Sequence, residues 1–313
     1  MSQPVIELKH IVKDFQSGGG FSHSDTFRAL DDVSFQLHAG RTLALVGESG
    51  CGKSTCARLI TKVHAPTSGE ILFHGQDIRT IESRKQLLSY RSQVQMIFQD
   101  PFGSLNPTHT IAHHLTRPLL IHKQVSQSGL RDKLASLMTQ VELPVDDLTK
   151  YPHQLSGGQR QRVNLARALA VNPKVILADE PTSMLDVSIR LGVLNLMKEM
   201  KQKLGIGFLY ITHDLATAHY IAEETAVMYR GKIVERGDTQ AILRQPAHPY
   251  TQLLISAMPN PDLPFQQLVD HEPNYALDAE KIRQFSLQPI AGYRQIGDNH
   301  FVAHYDHTQE QVA

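Results

Sequence analysis

The run Gly47-Glu48-Ser49-Gly50-Cys51-Gly52-Lys53-Ser54 has the spacing GxxxxGKS/T. Glycines at these positions let the backbone wrap closely enough for its N–H groups to point at phosphate oxygens, and the helix that follows presents the positive end of its dipole. Lys53 then bridges β- and γ-phosphates and Ser54 offers a hydroxyl to Mg²⁺, with Thr55 completing the nucleotide-binding set. Far downstream, Leu155-Ser156-Gly157-Gly158-Gln159 forms a second glycine-rich turn ahead of a helical pattern over Gln161 to Ala170. Read alone it is a helix start with Ser156 as N-cap, and its amides and dipole also make an anion site. Two such grips on one chain, separated by a helix-rich stretch, make sense if each nucleotide is held between two subunits.

The apolar run Lys174-Val175-Ile176-Leu177-Ala178 ends in Asp179-Glu180. Two adjacent carboxylates at the mouth of a buried strand are costly unless a cation sits opposite, and Mg²⁺ is the obvious one. Asp179 would hold the metal, directly or through water, while Glu180 would orient and deprotonate the attacking water. His213, in Tyr210-Ile211-Thr212-His213-Asp214, follows another apolar run and is expected beside the same pocket, facing the γ-phosphate. Most of the 17 histidines are expected to be structural or solvated, His113 and His114 among them, on different helix faces. Gln99, after Val94 to Phe98, would touch Mg²⁺ or the nucleophilic water and report the pocket's state to the helical part.

The elements that must position these groups are legible in outline. Val5 to Leu8 and Val33 to Leu37 alternate and read as antiparallel strands around the loop Ser17-Gly18-Gly19-Gly20-Phe21-Ser22. Thr42 to Val46, Lys174 to Ala178 and Gly207 to Ile211 are nearly continuous apolar runs, the look of parallel strands buried on both faces with chemistry at their carboxyl ends. Phe98 to Val171 is helical in pattern, including Leu130 to Val141, and Pro173 follows its last helix. Asp186 to Leu204 is an amphipathic helix stopped by Gly205, and Met228 to Val234 a hairpin.

Bulk composition narrows the class. The 313 residues exceed one typical domain enough to leave room for an appended piece. Lys+Arg 31 against Asp+Glu 31 supplies no positive field to gather nucleic acid. The two cysteines, Cys51 and Cys56, lie in or just after the phosphate loop, which suits a reducing, cytosolic setting. Cys51 is expected to react with bulky thiol reagents, with ATP protecting it. The start of the chain has no basic stretch followed by an apolar one, and no apolar run nears the ~20 residues that span a bilayer.

These motifs in this order resemble the ATP-binding cassette (ABC) ATPases, and the likeness runs from Val5 to about Val234. The segments Gln99-Asp100-Pro101-Phe102-Gly103-Ser104-Leu105-Asn106-Pro107 and His248-Pro249-Tyr250-Thr251-Gln252-Leu253-Leu254 resemble the oligopeptide/dipeptide permease branch, whose relatives also move nickel and glutathione. The resemblance implies an α/β fold: a P-loop NTPase (RecA-like) core with an antiparallel β subdomain, an inserted helical subdomain and a C-terminal extension. It divides the chain into a nucleotide-binding domain over 1–245, with the helical subdomain at about 99–171, and an extension over 246–313.

The resemblance also implies a head-to-tail dimer in which Ser156 and Gly158, within the signature Leu155 to Gln159, contact the γ-phosphate bound by Lys53 of the other subunit. Asp186 would lie in the loop at that seam, where Met184 replaces the usual alanine. Phe15 is the expected adenine platform, with Phe27 in reserve. The implied partners are a second ATPase subunit (a copy or a paralogue), transmembrane permease subunits and, indirectly, an extracytoplasmic substrate-binding protein. ATP and Mg²⁺ would be required, and the chain would work peripherally at the cytoplasmic face of the inner membrane. Many branch members carry an iron–sulfur cluster on a cysteine-rich tail; no cysteine follows Cys56, so none is expected. The competing expectation, a cassette ATPase acting on nucleic acid or the ribosome, usually comes with a long coiled-coil insertion, zinc-binding cysteines or tandem cassettes, none of which is visible in the sequence.

Overall fold

The computed structural model describes residues 3–16, 26–257, 282 and 288–305; the glycine-rich loop Ser17 to Ser22 and residues 258–281 of the tail lie outside the described residues. β1 (Ile6–Gln16) and β2 (Thr26–Leu37) pair antiparallel, with Ile6 opposite Leu37 and Phe15 opposite Phe27. β3 (Thr42–Val46) runs into the phosphate loop and α1 (Lys53–Ile60). β4 (Ser68–Phe73) and β5 (Gln76–Asp77) complete a four-stranded antiparallel sheet in the order β2-β1-β4-β5. α2 (Arg84–Gln93) delivers β6 (Val94–Ile97) to the edge of the main sheet, after which α3 (Ile111–Ile121), α4 (Leu130–Gln140) and α5 (Gly157–Leu169) intervene before β7 (Val175–Asp179).

α6 (Val187–Leu204), β8 (Gly207–Thr212), α7 (Leu215–Ile221) and β9 (Glu224–Tyr229) follow, then β10 (Lys232–Asp238), α8 (Thr239–Arg244), α9 (Pro249–Ser256), β11 (Ile290–Gly297) and β12 (His300–Tyr305). The main sheet has the order β11-β12-β10-β9-β3-β8-β7-β6. Its strands β9, β3, β8, β7 and β6 are parallel, so the carboxyl ends of β3, β7 and β8 open on one edge.

Strand periodicity splits the core into two layers. Leu43, Leu45, Leu177 and Leu209 pack with β1, β2 and α1 into one apolar cluster, while Ala44, Val46, Ile176 and Phe208 pack with α3 to α7 into another. Successive side chains of a strand point to opposite faces, so a run buried on both sides must be apolar throughout. That is why β3, β7 and β8 read as continuous apolar stretches.

Two features differ from the sequence reading. α5 starts at Gly157, not Gln161: glycine pairs look like loop by propensity, but Ser156 accepts the Gln159 N–H and the Gln159 side chain answers on the Ser156 N–H, so the capping box extends the helix back through the glycines. The tail also contributes β11 and β12, joined at Gly297-Asp298-Asn299, and β12 pairs with β10 to lengthen the main sheet. A glycine beside Asp and Asn between two short alternating runs was the hairpin signal in the sequence.

Candidate active site

The phosphate loop takes its shape from the strands around it. Gly52 stands at the start of α1 with φ +108, where a Cβ would lie 2.6 Å from the Ala29 carbonyl, so only glycine fits. The Cys51 carbonyl accepts from Gly231 N–H at 2.9 Å, tying the loop to the turn between β9 and β10. Lys53 is 4% exposed, and its Nζ donates to the Gly47 and Glu48 carbonyls at 2.7 Å each. The ammonium thus lies inside the curve of the loop.

Ser54 Oγ donates to Asp179 Oδ1 at 3.0 Å, joining the start of α1 to the end of β7. Burial pushes the Asp179 carboxyl above its ordinary range, partly offset by the Ser54 hydroxyl. Among the described residues no group of three or more His, Cys, Asp or Glu is placed so that it could hold a metal ion. A hydroxyl and one desolvated carboxylate form the sparse hard-oxygen set that Mg²⁺ accepts when phosphates and waters fill the rest of its shell, so the residues present fit that ion.

Glu180 occupies the left-handed region at φ +43, a conformation that costs a non-glycine residue about 1–3 kcal/mol. Its N–H donates to the Ile211 carbonyl at 2.9 Å, and its carbonyl accepts from Ser183 N–H at 3.2 Å and Ser183 Oγ at 3.1 Å, which hold the turn. The outcome is a carboxylate lifted out of the strand direction. Gln99 Nε2 donates to its Oε2 at 3.0 Å, and His213 Nδ1 lies 3.2 Å from its Oε1. Glu180, Gln99, His213, Lys53 and Ser54 line one cleft of about 750 Å³ that also receives Phe15, Phe27, Thr55 and Leu254.

The glycine turn Leu155 to Gln159 is not among the residues lining that cleft. Ser156 is exposed at the N-terminus of α5, and a Cβ on Gly158 would come within 2.3 Å of Ile189 Cγ2 on α6. Close to it Asp186 is exposed and leaves its carboxylate out of the capping of α6, beside exposed Met184 and Val187. These residues share a surface separate from their own chain's cleft. The two aromatic candidates both line the cleft: Phe15 meets His64 edge-on at 5.3 Å, whereas Phe27 is 61% exposed. His113 stacks on His109 at 4.0 Å while His114 meets the Asn106 carbonyl at 3.0 Å, different faces as the adjacency requires.

The expected reactivity of Cys51 is corrected by the structure. Its thiol is buried, and burial raises its pKa despite the neighbouring Lys53, so little thiolate is available. Maleimide labelling of the native protein should be slow at Cys51 and at fully buried Cys56, and unfolding should expose both; rapid native labelling of Cys51 would contradict the packing. Sequence reasoning also passed over Tyr250 and Leu254, which it took as markers of a family branch: Tyr250 is buried against the phosphate loop and Leu254 reaches the cleft.

Residues 30–183 match the ABC transporter family, and residues 234–283 match the C-terminal region of oligopeptide/dipeptide transporters. The chain is 46% identical over 265 residues to the dipeptide transport ATP-binding protein DppF of Escherichia coli (strain K12), covering 84% of this chain and 79% of that protein. It is 42% identical over 305 residues to the oligopeptide transport ATP-binding protein OppF of Bacillus subtilis (strain 168), covering 96% of each. The chain belongs to the oligopeptide/dipeptide branch of the ABC ATPases. Among solved structures, the dimeric post-hydrolysis state of the ATP-binding cassette MJ0796 bound to ADP and Pi is similar at a TM-score of 0.66 and 28% identity, over 75% of this chain and 98% of that one. The ABC ATPase described here therefore has the P-loop NTPase fold and is an ATP-hydrolysing subunit that couples energy to transport. No described helix is long and apolar enough to cross a membrane.

Proposed function

We propose that this chain is the ATP-hydrolysing subunit of an importer of di- or oligopeptides, held peripherally at the cytoplasmic face of the membrane by permease subunits. The observation that carries the catalytic part is the pair of contacts at the strand ends: Ser54 to Asp179, and Glu180 between Gln99 and His213. The peptide cargo comes from the relatives' transport of di- and oligopeptides and from the matching C-terminal region. We assign 1–245 to the nucleotide-binding domain, about 99–171 to its helical subdomain, and 246–313 to the extension.

In this mechanism the loop from Gly47 to Thr55 and the Lys53 ammonium bind the phosphates, and Phe15 or Phe27 stacks on adenine. Ser54 and Asp179 would hold Mg²⁺, with Gln99 beside them, and the ion would neutralise charge on the transferring phosphoryl group. Glu180 accepts the proton of the attacking water, positioned by the Gln99 amide and by His213, which also faces the γ-phosphate. Ser156 and Gly158 of a second subunit, a copy or a paralogue, close over that phosphate, bringing Asp186 to the seam. Closure is passed to the permease through the region around Gln99, and a substrate-binding protein outside the membrane supplies the cargo. The alternative, action on nucleic acid or ribosomes, draws no support from a net charge of zero or from the relatives.

Peptide uptake by cells with and without this gene, together with Mg²⁺-dependent phosphate release by the purified subunit–permease complex, tests the proposal. Unchanged uptake on deletion, with no paralogue present, would remove the peptide assignment. A narrower check concerns the metal: Ser54→Ala should raise the Mg²⁺ concentration for half-maximal hydrolysis about tenfold, the scale of one lost contact to a charged group. An unaltered Mg²⁺ requirement would take Ser54 out of the metal site.

A further inference from the structure

The part of the molecule where α9 joins the phosphate loop to the β11–β12 hairpin takes no part in that mechanism. Tyr250 is fully buried there, with its ring 4.3 Å from that of Tyr229, and its hydroxyl accepts the Glu48 N–H at 2.9 Å. That N–H belongs to the same peptide group as the Gly47 carbonyl, which accepts from Lys53 Nζ at 2.7 Å. A peptide group is planar and rigid. It is gripped here at both ends, by the phenol oxygen on its hydrogen and by the ammonium on its oxygen, and each bond polarises the group in favour of the other.

The grip is anchored in the extension. Tyr250 N–H donates to His248 Nδ1 at 3.1 Å, which caps α9. The Ala247 and His248 N–H groups donate to the buried Glu235 carboxylate at 2.9 Å each, and His300 on β12 meets the same carboxylate at 2.6 Å. Tyr305, also on β12, lies 3.1 Å from His248 Nε2. Hydrogen bonds therefore run from the β11–β12 hairpin to Tyr250, whose ring carries the link on to the second residue of the phosphate loop, and every one of those bonds is buried or half-buried. A role confined to packing would be met by phenylalanine at 250. The hydroxyl is needed because it is the acceptor that the Glu48 N–H finds in the protein.

We infer that Tyr250 is a positioning residue for nucleotide: through the Gly47–Glu48 peptide it sets where Lys53 stands, so that the C-terminal extension determines how tightly the loop holds ATP. The inference rests on the reading of Gly47 to Ser54 as the ATP-binding loop. Tyr250 touches no phosphate and takes no part in the bond-breaking step.

The test compares the full-length parent with Tyr250→Phe, which removes one oxygen and keeps the ring. Loss of a hydrogen bond that orients the loop predicts an ATP Kd and KM about five- to tenfold higher, with kcat at saturating ATP within about twofold of the parent. Val234→Ala, which opens a cavity in the same apolar cluster without touching the loop, controls for lowered stability and should leave the ATP Kd unchanged. Equal Kd values for parent and Tyr250→Phe overturn the inference, as does an equal rise in Val234→Ala. Should Tyr250→Phe fail to fold, amide hydrogen exchange in the parent decides. The Glu48 N–H should be protected well beyond those of exposed Ser49 and Gly50, and exchange at their rate overturns the inference. A parent that binds no ATP in the same titration overturns the loop assignment and this inference together, an outcome distinct from a parent that binds while the variant matches it.

Discussion

Glu180→Gln is expected to lower steady-state ATP hydrolysis about 10²–10⁴-fold, the range for loss of a general base, while ATP binding stays at the parental level. The substitution keeps the shape of the side chain, so the left-handed turn at φ +43 and its Ser183 contacts should persist. What changes is proton affinity. A carboxylate held by Gln99 at 3.0 Å and His213 at 3.2 Å can take a proton from water, whereas a neutral amide cannot. The Glu180 side chain is 14% exposed against 58% for His213, so the carboxylate is the shielded member of the pair and bulk solvent is a poor substitute for it. Because binding survives and hydrolysis does not, the variant should accumulate as a closed, ATP-bound dimer, measurable by light scattering with and without ATP. Phosphate release at the parental rate would remove Glu180 from the role of base.

The second large effect belongs to Lys53→Ala, for which ATP affinity should fall roughly 10- to 100-fold, since a contact to a charged group contributes about 1.5–3 kcal/mol and 1.4 kcal/mol is a factor of ten. Two consequences of the buried ammonium act together. The phosphates lose their positive partner, and the Gly47 and Glu48 carbonyls lose the donor that curls the loop. A ligand that binds only the folded state raises its stability by an amount that grows with the logarithm of concentration over Kd. The ATP-induced rise in Tm of the parent should therefore largely vanish in the variant at the same nucleotide concentration. Calorimetric titration gives Kd directly, and an affinity within threefold of the parent would contradict the placement of Lys53.

The strongest sequence signals were those in which a few consecutive residues both define a local shape and carry the chemistry. The phosphate loop is one: its glycines, lysine and serine lie side by side, and the apolar run before it is a strand buried on both faces. The carboxyl ends of β7 and β8 are another, because continuous apolar runs identify parallel strands and such strands offer their carboxyl ends to ligand. The start of α5 was legible in kind and wrong in extent, since glycine propensity and the capping box point opposite ways and the box prevailed. The β11–β12 hairpin was missed because short runs on an edge carry little periodicity, although the turn at Gly297-Asp298-Asn299 was there to be read.

By itself the sequence determined which residues are available for phosphate and proton chemistry, the apolar runs that carry them, and the family to which the chain belongs. It did not determine who meets whom. Ser54 and Asp179 are 125 positions apart, Gln99 and Glu180 81, and Glu48 and Tyr250 202, and no local period encodes separations of that size. Those meetings follow from how the parallel strands lie side by side and from the packing of the extension against the loop. Contacts between distant segments form only when burial of apolar surface draws the segments together, and that sum is taken over the whole chain.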